Sequence, residues 1–154
     1  SQGSAILFDY IARNPDMLNN VRSIVFVSPA TVYTHGPQGS AAVKALEDLV
    51  KSCKDRGIGI LLLLNEYEYG RWDPYKKRCE GSVCEKIIEN LNSDHGDLAV
   101  KVPGTTHSFD LSRGGYLHAL DINLLRLIKQ WCENPKGKAA QLISLMCGGP
   151  LSVK

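Results

Sequence analysis

Seven consecutive residues in the middle of the chain, Ile58 to Leu64 (I-G-I-L-L-L-L), carry no polar side chain. A short apolar run bounded by Arg56-Gly57 and Asn65 predicts a β-strand. Successive side chains of a strand point to opposite faces, so a run that is apolar at every position must be covered on both. That is the situation of a strand inside a parallel sheet with helices on each side. The unbroken core of the run, Ile60 to Leu64, is also far too short to span a bilayer.

The rest of the chain alternates helix and strand around this segment. Ile6, Leu7, Tyr10 and Ile11 share one helical face, and Asn14-Pro15 stops the helix. Ile24 to Val27 reads as a buried strand closed by Ser28-Pro29. Ala30 to Ser40, with Pro37 and two glycines, reads as a loop. Val43, Leu46, Leu49, Val50 and Cys53 then mark an amphipathic helix. A polar, aromatic loop runs from Asn65 to about Gly81. Ser82 is placed to cap the next helix, with Glu85 completing a capping box, and Val83, Ile87, Ile88 and Leu91 form its apolar side. Leu98 to Val102 is the third strand. Leu117, Leu120, Leu124, Leu127, Ile128 and Trp131 mark a further helix, ended by Asn134-Pro135. In the tail, 137–154, the apolar patch Leu142 to Met146 suits a short helix.

This pattern is α/β: a three-layer α/β/α arrangement around a small parallel sheet. Residues 1–154 form a single α/β domain or half-domain. The first strand would keep an open, apolar edge, which is a liability unless something pairs with it. The sheet is therefore expected to belong to a larger one, or to be completed by a second chain.

Charge narrows the possible partners. Eighteen basic residues stand against sixteen acidic ones, a formal net charge of +2. That balance argues against a nucleic-acid partner or an anionic membrane surface. Cys53 and Cys132 fall on apolar helix faces and read as small core residues. Cys79 and Cys84 flank Glu-Gly-Ser-Val and are close enough in sequence for a local disulfide, which the spacing leaves open. Neither they nor His35, His95 and His118 show a metal-ligand spacing, so no metal or cofactor is expected. His95, in S-D-H-G-D, reads as solvated, and His118 as structural. An odd cysteine count leans towards a reducing, cytoplasmic compartment.

The chemistry gathers at strand ends. In L-A-V-K-V-P-G-T-T-H-S-F-D-L, Leu98 to Leu111, a strand ends and a Pro-Gly turn delivers His107 just beyond it. In parallel sheets the crevice outside the C-terminal strand ends is where ligands bind, and a histidine there can move protons near neutral pH. Taken singly, the other groups have plain alternatives. Asp73 is also a good turn residue before Pro74, Glu68 a good solvated charge, and Ser1-Gln2-Gly3 an unremarkable linker.

Four segments in order carry a resemblance: S-Q-G-S-A-I-L, V-R-S-I-V-F-V-S-P-A, G-I-L-L-L-L-N-E-Y-E-Y-G-R-W-D-P, and L-A-V-K-V-P-G-T-T-H-S-F. The chain resembles the C-terminal half of an α/β hydrolase, from the nucleophile elbow onward, over nearly all of its length to Pro135. That family runs nucleophile, acid, histidine. The resemblance implies a serine hydrolase of esterase, lipase or thioesterase type acting on a small-molecule acyl substrate. Ser1 would be its nucleophile, His107 its general base, Asp73 its acid with Glu68 as the alternative, and the Gln2 N–H an oxyanion donor. The Gly expected before Ser1, and the strands expected before the elbow, are absent from this sequence; the implication is a second chain or a longer product that supplies them.

Two other readings accompany this one. A non-catalytic domain could use the open edge of the first strand to pair with a partner. The loop from His35 to Ser40, leading into a helix at Ala41, could bind a phosphorylated ligand. A serine at a literal N-terminus could use its own amine as base, but the alternating α/β pattern does not suit that class of hydrolase.

Overall fold

A computed structural model of the chain describes residues 2–27, 36–65, 83–103 and 122–152. Three strands form a parallel sheet: β1 (Ser23–Val27), β2 (Gly59–Asn65) and β3 (Leu98–Val102), in the order β1-β2-β3. The register sets Ser23 beside Gly59 and Leu61 beside Leu98. The protein is thus of α/β class, as the alternating pattern predicts.

β2 is the middle strand, and it is buried on both faces, as its all-apolar sequence requires. Ile60, Leu62 and Leu64 point into one core with Phe8, Ile11, Leu46, Val50 and Ile87. Leu61 and Leu63 point into the other with Val100, Val102, Leu124, Trp131 and Ile143. None of the five residues Ile60 to Leu64 is more than 3% exposed. Each fully buried side chain of this size contributes roughly 1.5–3 kcal/mol.

The first core is closed by α1 (Gln2–Arg13), α2 (Gly36–Arg56) and α3 (Val83–Asn90). The second is closed by α4 (Ile122–Glu133) and α5 (Ala139–Met146). No helix among the described residues is long and apolar enough to cross a membrane.

Three expectations need correction. First, α2 begins at Gly36, not Ala41. The first residues of a helix have no intrahelical acceptor for their N–H groups, so Pro37 interrupts nothing there. Second, α1 buries Phe8 and Ile11, while Ile6 is 70% exposed and Leu7 and Tyr10 also face outward. Apolar residues cover most of this helix, so periodicity could not choose the inner side. The tilted contact of the Phe8 and Phe26 rings, 5.4 Å between centroids, marks it. Third, His95 is half-buried rather than solvated.

Other expectations are met or fall elsewhere. Cys53 is a core residue and Cys132 is partly buried against the second core. The tail contains the expected helix, and beyond it Leu151 donates its N–H to the Ala99 carbonyl on the outer edge of β3 at 2.8 Å. Ser82, Cys79, Leu117, His118 and Leu120 lie outside the described residues, as do the side chains of Cys84 and Glu85, so the capping box and the Cys79–Cys84 pairing do too.

Candidate functional site

The two ends of the sheet differ in what the chain brings to them. At the C-terminal end, β2 and β3 finish level with one another, since Asn65 pairs with Val102. α1 reaches the same end from the other direction. Phe8 meets Phe26 in the C-terminal half of β1, and the C-terminus of α1 feeds through the 3-10 turn Pro15–Asn20 into the start of β1. The helix therefore runs antiparallel to β1, and Gln2 lies towards the C-terminal strand ends. As the first residue of a helix, Gln2 has a main-chain N–H with no intrahelical acceptor.

The sequence attaches its candidate groups to these three termini. Ser1 directly precedes Gln2. Glu68 and Asp73 follow Asn65 by three and eight residues, and His107 follows Val102 by five. Ser1, Glu68, Asp73 and His107 lie outside the described residues, as does the Gln2 side chain; His35 does too, whereas Gly36 to Ala41 belong to α2.

The N-terminal end of the sheet is a dense polar lock that sequence reasoning missed. Asp97, immediately before β3, is only 7% exposed. Its Oδ1 accepts the Ile60 N–H at 2.7 Å and its Oδ2 accepts the Asn92 N–H at 2.8 Å. One carboxylate thus joins the start of β2 to the turn that leads into β3. Burial pushes the Asp97 carboxyl above the ordinary carboxylate range, against the opposing pull of both hydrogen bonds and of His95 and Lys54.

The lock continues around Asp97. Gly96 sits in the left-handed region at φ +79°, and a Cβ there would run into the Pro135 main chain. Its carbonyl accepts the buried Trp131 indole N–H at 2.8 Å. Gly59 also lies against the same loop, since a Cβ would come within 2.5 Å of the Pro135 ring. Arg22 and Ser23 donate to the Glu133 and Cys132 carbonyls at the end of α4, satisfying acceptors that a helix C-terminus leaves open. His95 Nδ1 is buried without a hydrogen-bond partner.

None of this suits catalysis. Both Asp97 oxygens are engaged in holding main chain. Burial pushes the Cys53 thiol up to about 12 and raises that of Cys147 as well, which removes the reactive thiolate. Among the described residues no group of three or more His, Cys, Asp or Glu side chains could hold a metal ion. The only signal that could have revealed the lock is the S-D-H-G-D turn itself, with a glycine suited to a left-handed residue and an aspartate directly before an apolar strand.

No protein-family model matches the chain, and neither does any curated protein or solved structure.

Proposed function

We propose that the chain is a serine hydrolase of the α/β-hydrolase class, cleaving an ester, thioester or related acyl bond. The observation that supports this is the convergence of three termini, Gln2, Asn65 and Val102, towards one end of the parallel sheet. The segments carrying Ser1, the acid and His107 join the scaffold at those points, at the end of an α/β sheet where ligands bind. In this reading Ser1 Oγ attacks the acyl carbon. His107 takes the serine proton and passes it to the leaving group, and water then releases the acyl group by the same route in reverse. Asp73, or Glu68 in its place, orients the imidazole and stabilises its cation. The Gln2 N–H donates to the oxyanion. A further donor would come from chain that completes the sheet beside β1, and its absence costs about 10²–10³ in rate. The test is covalent labelling by a fluorophosphonate, with the completing chain supplied. Labelling at Ser1 that disappears in Ser1→Ala is expected; a label elsewhere, or none, overturns the reading.

A second reading rests on the outer edge of β1. Among the described residues no strand lies beside it, and Val27 is 40% exposed. β1 carries no charge, proline or bulge that would discourage pairing. In this reading the chain is a non-catalytic domain to which another polypeptide adds a strand. Light scattering should then show a stable complex that Val27→Lys dissociates, while Ser1→Ala and His107→Ala leave it intact. A monomer at every concentration, with no strand-adding partner, rules this out.

A further inference from the structure

We draw no further inference here: the strongest candidate, the groove of about 760 Å³ between α3, the start of β3, α5 and Pro150 to Ser152, has mainly apolar walls such as Ile88, Leu91 and Leu151, and nothing in the structure shows what covers it.

Discussion

The two ends of the sheet pose opposite problems to the chain. At the N-terminal end, side chains and main chain from three separate segments are joined by short hydrogen bonds around Asp97, Gly96 and Trp131. At the C-terminal end, β2 and β3 stop level and hand over to segments rich in titratable and aromatic residues. Hydrogen bonds and close packing hold the N-terminal end, and in the hydrolase reading the other end would carry the chemistry. A site built from loops needs strand ends that hold still. In the hydrolase reading the lock at the far ends of the same strands would serve that need.

The sharpest contrast is between a loss of rate and a loss of fold. In the hydrolase reading, His107→Ala should lower the rate of acyl cleavage by about 10⁶, on the scale of removing a triad histidine, and leave the thermal midpoint unchanged. A large drop in midpoint would place His107 in the structural half of the molecule and break the comparison. Asp73→Asn and Glu68→Gln, assayed in parallel, separate the two acids, since only the true partner of His107 should lose about 10⁴ in rate.

At the other end, Gly96→Val should be the most damaging substitution for folding. It forces a branched side chain into a left-handed conformation and drives it against the Pro135 main chain. The cost expected is about 4 kcal/mol or more, read as loss of soluble protein or of a cooperative urea transition. Wild-type behaviour would show that the Pro135 loop yields easily and that the lock is loose.

Asp97→Ala should cost somewhat less. It strands the Ile60 and Asn92 N–H groups, each worth about 1–3 kcal/mol when buried without an acceptor. A shift of about 10 °C in midpoint follows for a domain of this size. A shift of a degree or two would mean that water replaces the carboxylate and that Asp97 is not the clasp described.

The smallest effect concerns pH. The folded-state pKa of Asp97 lies above its ordinary value of 3.8. Between those two values the folded protein holds more protons than the unfolded chain, so stability contributed by this group rises as pH falls through the window. This is the reverse of the usual salt-bridged aspartate. The stability of the wild type relative to Asp97→Asn, measured by urea unfolding from neutral towards pH 4, should therefore grow with acidification. A difference that shrinks would reverse the sign and show that the hydrogen bonds outweigh burial.

Legibility followed the range of the forces involved. The limits of β3 read from Leu98 to Val102 are those observed, and β2 differs by one residue at each end. Both strands are specified by their own apolar runs. The start of α2 was misplaced because Pro37 and two glycines look like loop residues unless their position in the first turn is known. The inner side of α1 was unreadable because Ile6, Leu7, Tyr10, Phe8 and Ile11 offer more apolar surface than one face can hold. Asp97 was invisible for a different reason: Trp131 and Pro135, which bury its surroundings, stand more than thirty residues away in the chain. The candidate catalytic residues are legible only as sequence, through their attachment to helix and strand ends.

The sequence by itself determined a parallel sheet in which β2 lies between two layers of helices. A strand apolar at every position has no stable place except between two layers of helices, and the alternation of elements supplies both layers. The tertiary structure alone decided which side of α1 turns inward and that an aspartate, rather than an apolar residue, closes the N-terminal end of the sheet. Those outcomes depend on partners that meet only when distant segments pack, and a buried carboxylate is tolerated there because two main-chain donors are waiting for it.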